Sequence, residues 1–196
     1  MRTYVSIDID FFNGTPAKEV MSVLDQFFYE VKSRKIPVVA VMNHQQLTRF
    51  VGASTARTLI NVDQHADIAT KECSEFNCGT WVSYIPWSHI GHYHWVHRHR
   101  VAEGECSWDN PIFMGGRTRG HVTSWKRVSR RKVTNFPQVK NLLKDCVGVG
   151  FVLSPDFSDE DFEEVFRALM SKYNMQYVKG VRNEIDLHVK RKPVLR

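Results

Sequence analysis

Three short apolar runs separated by helical patterns limit what this chain can fold into. Thr3–Ile9 (TYVSIDI) is rich in β-branched and aromatic residues and reads as a strand. Pro16–Arg34 follows as an amphipathic helix, with Thr15 as its cap and Val20, Leu24, Phe27, Phe28 and Val31 at helical spacing. Ile36–Met42 (IPVVAVM) is a continuous apolar stretch of the kind that forms a buried parallel strand. A less regular helical piece from Gln45 leads to a third strand, Thr58–Val62. Strands joined by helical crossovers lie parallel, and a parallel sheet needs cover on both faces. The prediction is an α/β fold with three layers, α-β-α, around a mainly parallel sheet. At 196 residues the chain has room for one well-buried domain.

Further along the pattern is less regular. Trp81–Ile85 and His92–Arg100 read as strands, while Val101–Lys132 is rich in Gly, Arg and Ser and reads as an irregular or mobile insertion. Gln138–Asp145 is expected as a short helix and Val147–Leu153 (VGVGFVL) as another buried strand. Ser158 has the pattern of a cap for a helix whose apolar face is Phe162, Val165, Phe166, Leu169, Met170 and Tyr173. Glu184–Lys190 alternates like an antiparallel edge strand.

Polar residues gather where the first three strands finish, which is where parallel sheets place their ligands. Asp8 and Asp10 end the first strand, His44 follows the second, and Asp63, His65 and Asp67 follow the third. In an extended backbone, residues two apart share a side, so Asp63, His65 and Asp67 are expected to aim into one small volume. Four carboxylates repel one another unless a cation joins them, and together with two imidazoles their number suits two divalent ions. No cysteine takes part, which favours a harder ion such as Mn2+ over structural zinc.

These residues resemble a known superfamily. Ser6-Ile7-Asp8-Ile9-Asp10 resembles the S-x-D-x-D motif of arginases (ureohydrolases), and Asp63-Gln64-His65-Ala66-Asp67 resembles their D-x-H-x-D. The resemblance implies an arginase/deacetylase-like fold in compact form, with Asp8 and Asp63 bridging two Mn2+ ions. His44 and Asp67 would complete one shell, and His65 and Asp10 the other. The motifs are permuted, since S-x-D-x-D comes first here, and Met42-Asn43-His44 stands where arginases carry Gly-Gly-Asp-His. The chain is also much shorter than a typical arginase. It is more similar to an arginase-related family with Asp-x-Asp-Phe-Phe, D-x-H-x-D and Gly-Asn-Trp elements. Here these read Asp8-Ile9-Asp10-Phe11-Phe12 and Gly79-Thr80-Trp81, with Thr in place of Asn. That family includes peptide arginases, which convert arginine side chains of ribosomally made precursor peptides to ornithine and urea. The implied partner is a precursor peptide, with Thr80 and Trp81 on the substrate side. The resemblance covers residues 3–100, and less closely 147–173.

A guanidinium substrate needs a carboxylate to orient it, and Asp156 is the candidate, with Glu103, Glu105 and Asp109 as rivals. In the run His89, His92, His94, His97 and His99, His92 is taken as the catalytic proton shuttle. The net charge of +6 concentrates in Arg117–Lys132 and the tail Lys190–Arg196, which fits an acidic leader peptide. Nucleic acid is the less favoured reading of that charge, as a basic binding module with a degenerate metal site. A hydrolase of free amidino or N-acyl compounds is the other rival. Cys73, Cys78, Cys106 and Cys146 are few and irregularly spaced, Asp8 and Asp10 interrupt any apolar leader, and no run reaches the ~20 residues of a membrane span. The expectation is a cytoplasmic protein without membrane contact, and the sequence leaves room for a homo-oligomer.

Overall fold

The computed structural model describes residues 1–68, 76–85, 90–98 and 127–178. Strand β1 (Thr3–Asp8) is buried along its whole length and lies near the middle of a seven-stranded sheet. A 3-10 turn, Ile9–Phe12, leads from it to helix α1 (Ala17–Ser33). Strand β2 (Val38–Val41) is followed by a second such turn, His44–Leu47, which runs into the short helix α2 (Thr48–Ala53). Then come β3 (Thr58–Val62), β4 (His92–His97), β5 (Arg127–Lys132), α3 (Val139–Leu142), β6 (Cys146–Val152), α4 (Phe162–Tyr173) and β7 (Gln176–Val178). The strand order is β5-β4-β3-β1-β6-β2-β7, and every pairing is parallel. The fold is therefore three-layered α/β.

Alternation along the strands sorts side chains into the two outer layers. On one face, Val5, Ile7, Val149 and Phe151 meet Val20, Leu24, Phe27 and Phe28 of α1 and Phe162, Phe166 and Leu169 of α4. On the other, Tyr4, Leu59, Tyr93 and Trp95 are covered by Leu47, Val51, Trp81, Val82 and Ile85. Along this second face the alternate positions change character: Tyr4 gives way to Ser6 and Asp8, and Leu59 to Asn61 and Asp63. On this face of β1 and β3, apolar Tyr4 and Leu59 lie toward the amino ends and buried polar residues occupy the carboxyl ends.

Several local expectations are corrected. Trp81–Ile85 is no strand: Val82–Tyr84 forms a 3-10 turn, and Trp81 makes only an isolated antiparallel bridge to Ile68. The turn is closed by Asp67, whose carbonyl accepts from the Val82 amide at 3.1 Å. Arg127–Lys132, assigned to the irregular insertion, is strand β5 paired with β4. Helix α1 begins after Pro16, not with a Thr15 cap, because the Thr15 hydroxyl accepts from the Arg98 guanidinium. Ser158 donates to the Leu153 carbonyl and caps nothing, so α4 starts later, after Asp161. The expected edge strand Glu184–Lys190 lies outside the described residues, and β7 is the edge beside β2. No helix among the described residues is long and apolar enough to cross a membrane.

Phe151 ties the first face together, its ring 4.8 Å from that of Phe28 and 4.7 Å from that of Phe166. Removing this buried ring leaves a cavity between β6, α1 and α4. Phe151→Ala is expected to lower unfolding free energy by about 3–5 kcal/mol, measured by urea denaturation.

Candidate metal centre

The six side chains singled out in the sequence meet at the carboxyl ends of β1, β2 and β3. Asp8 is the last residue of β1, and its carboxylate accepts the Asp10 amide at 3.1 Å, which turns the chain into the 3-10 segment that carries Asp10. His44 opens the turn after β2. Asp63 extends the β3 ladder by one residue, its amide donating to Val96 at 3.0 Å.

Beyond Asp63 the backbone does not stay extended. Asp63 Oδ1 accepts the His65 amide at 2.7 Å, and Asp67 adopts a left-handed conformation with φ 53°. Aspartate tolerates that region better than most residues. The bend sends His65 to one side of Asp63 and Asp67 to the other. His65 Nδ1 lies 3.0 Å from Asp10 Oδ2, while His44 Nδ1 lies 2.9 Å from Asp67 Oδ2, 3.1 Å from Asp8 Oδ2 and 3.2 Å from Asp63 Oδ2.

Two groups of potential ligand atoms result, Asp8–His44–Asp63 and Asp10–Asp63–His65, each within 4.8 Å, and Asp63 belongs to both. Both histidines turn Nδ1 toward the carboxylates. The inner group is closed off, with the His44 side chain 2% exposed, whereas the His65 side chain is 31% exposed and reaches the surface.

Burial makes this cluster electrostatically costly. Asp63 is pushed well above the usual carboxylate range by its burial, and further by the charges of Asp67, Asp10 and Asp8. Burial and the Asp8 charge raise Asp10 to about 6, against the opposing pull of His65 and the Gln64 amide. Burial alone would lower His44, but the charges and hydrogen bonds of Asp67 and Asp8 prevail and hold its proton up to about 10. A protonated imidazole is thus the cation that the side chains themselves supply. Carboxylate oxygens and imidazole nitrogens are the donor set of a hard or borderline divalent ion, so the buried Asp/His cluster fits metal binding.

Surrounding groups fix the ligands. Ser6, the serine of S-x-D-x-D, places Oγ 2.9 Å from His44 Nε2, which leaves Nδ1 for ligation. Asn61 Nδ2 donates to Asp63 Oδ2 at 3.0 Å, and the Ser154 hydroxyl donates to Asp8 Oδ2. The Trp81 indole donates to Asp67 Oδ2 at 2.6 Å, and its ring stacks on His44 at 5.1 Å. None of these roles was assigned from sequence. The available signal was phase: Ser6 and Asn61 precede Asp8 and Asp63 by two residues and are paired across β1 and β3.

The predicted substrate and catalytic residues fare differently. Trp81 is fully buried against the cluster, where it contacts Asp67 and His44, and does not line an entrance. Thr80 is buried too, its hydroxyl accepting the Asn77 amide at 3.0 Å in a turn. His92 is corrected: it pairs with Thr58 at the amino end of β4, and Val96 pairs with Val62 beside Asp63. His92 therefore sits at the opposite end of the sheet from the cluster. Among the described residues, the member of the run at the carboxyl end of β4 is His97, fully buried with its ring 4.3 Å from that of Trp95. Asp156 is exposed in the turn after β6, on the ligand side of the sheet.

Glu103, Glu105, Asp109, His89, His99, Cys73, Cys106 and residues 117–126 of the basic stretch lie outside the described residues, as does the tail from 179. Cys78 and Cys146 are free thiols. A groove of about 640 Å³ between α1 and residues 135–140, lined in part by Phe12, Val23, Arg98 and Phe136, includes none of the six candidate ligands. Compared with known proteins, the chain matches no protein-family model, no curated protein and no solved structure.

Two outcomes test the centre. Trp81→Phe keeps the stacked ring and deletes the indole N–H, and is expected to weaken Mn2+ affinity about 10–100-fold, as loss of an outer hydrogen bond to a ligand does, by competition with a fluorescent chelator. Because His44 holds its proton up to about 10, metal must displace that proton at neutral pH. Affinity is then expected to rise with pH between 6 and 9, by roughly tenfold per unit for each proton released. Calorimetry in buffers of different ionisation enthalpy counts the protons.

Proposed function

We propose that this chain is a dinuclear metallohydrolase of the arginase type that converts arginine side chains of a peptide to ornithine and urea, using two Mn2+ ions. The observation that carries this reading is Asp63, shared between two ligand groups whose other members are separate. A single structural ion would not call for four buried carboxylates and two imidazoles. On this reading Asp63 and Asp8 would serve both ions, His44 and Asp67 would hold one, and Asp10 and His65 would hold the other. When bound, two such ions supply a nucleophilic water at neutral pH.

The chain's own residues do the rest. Ser6 keeps His44 in the tautomer that ligates through Nδ1. Asn61, Ser154 and Trp81 hold the carboxylates of Asp63, Asp8 and Asp67 in place, so no reorganisation is needed as charge develops. Asp156, exposed on the rim, orients the guanidinium cation. Water adds at the guanidinium carbon, the bond to the side-chain nitrogen breaks, and that nitrogen leaves as the ornithine amine with urea as the second product. The partly exposed His65 supports a substrate presented on a larger chain, because the outer half of the site can be approached from the surface.

Incubation of the Mn2+-loaded protein with an arginine-containing peptide is expected to remove CN2H2 from the peptide and release urea. Loss of an acyl group instead would identify a deacylase. Asp63→Ala and His65→Ala should each abolish urea release and reduce the bound metal together, measured by urea assay and elemental analysis. Activity surviving either change would exclude this mechanism.

A further inference from the structure

The turn after β6 carries a feature the proposed chemistry has not used. Phe157 is 50% exposed, and its ring centroid is 5.5 Å from that of His65 at an interplanar angle of 63°. A single exposed aromatic is ordinary on a protein surface. This one stands beside the most accessible metal-ligand candidate, on a backbone held from several directions.

The Phe157 amide donates to the Ser154 carbonyl at 2.9 Å, and the Phe157 carbonyl accepts from Asn13 Nδ2 at 2.6 Å. The Asp159 amide donates to Asn13 Oδ1 at 3.2 Å, and Asp159 Oδ2 accepts the Gly14 amide at 2.9 Å. Ser154 sits in the left-handed region, φ 47°, its amide bonded to the Met42 carbonyl at 2.8 Å and its hydroxyl to Asp8. The turn is thus fastened to the loops after β1 and β2 and to a candidate metal ligand. A side chain that reaches water from so constrained a backbone has little freedom left to lose when something packs on it. Its neighbour Asp156 is an exposed carboxylate.

We propose that Phe157 is the specificity-determining wall of this site, a face on which a planar cationic head group stacks while Asp156 meets its charge. The electron-rich face of a phenyl ring attracts cations, guanidinium most often in proteins, and an adjoining carboxylate adds to the preference. This inference rests on the reading of the cluster as a guanidinium-directed hydrolase and assigns to it the element that separates a charged planar group from a neutral one of the same shape.

The test is equilibrium binding to the full-length, Mn2+-loaded protein of two peptides differing only in arginine or citrulline, a neutral planar isostere. The wild-type protein is expected to bind the arginine peptide more tightly. Phe157→Leu, apolar but without a π face, should reduce that preference about tenfold, and Phe157→Trp should restore it. Metal content and thermal midpoint of each variant report whether the centre and fold are intact. If Phe157→Leu keeps the full preference, or the wild type shows none, the proposal is overturned. If the preference behaves as expected but no urea forms, the wall stands and the hydrolytic reading falls, because binding is measured independently of turnover.

Discussion

Four carboxylates kept out of water within reach of one another set the terms for this fold. Two like charges ~4 Å apart repel by about 4 kcal/mol at an effective dielectric near 20, whereas a neutral hydrogen bond contributes only about 1 kcal/mol. The hydrogen bonds from Asn61, Ser154 and Trp81 therefore orient Asp63, Asp8 and Asp67 without offsetting their repulsion. A cation or a bound proton has to do that. The imidazole of His44, placed among three of the carboxylates, can serve while protonated, and a proton on Asp63, which burial and neighbouring charges push well above the usual carboxylate range, relieves the repulsion further.

The two outer layers divide the work around this point. On the α1–α4 face, aromatic rings of Phe27, Phe28, Phe151 and Phe166 interlock. The opposite layer is built for approach. A Cβ at Gly150 would lie 2.4 Å from Leu47 Cδ1, and one at Gly148 would lie 2.7 Å from Tyr4 Cε2. Glycine at 150 lets Leu47 settle on β6, and with it the turn that begins at His44, while glycine at 148 makes room for the Tyr4 ring. The packing on this face thus sets the height of a ligand above the sheet.

Much of this could be read from the residues. Short apolar runs alternating with an amphipathic helix are sufficient to specify a parallel sheet, and acids and histidines at strand ends announce a site. Side-chain direction beyond the strands could not be read. The i, i+2 rule holds while the backbone is extended, and it failed at His65 and Asp67 because Asp63 captures the His65 amide and bends the chain. Trp81 was misplaced for a related reason, since an indole N–H that meets Asp67 must be tucked beneath the cluster. His92 was an error of direction. In a parallel sheet whose ligands lie at the carboxyl ends, the last histidine of β4 is at the right level, and the first cannot be.

Chain order adds a consequence of its own. β1 and β2 bear Asp8 and His44 but do not pair with each other, because β6 is inserted between them. All six candidate ligands have left the ribosome by Asp67, yet β6, the strand between β1 and β2, is not synthesised until Cys146–Val152. A nascent polypeptide can carry every donor atom and still present no geometry to capture an ion. Assembly of the cluster is thereby deferred until nearly all of the described sheet exists.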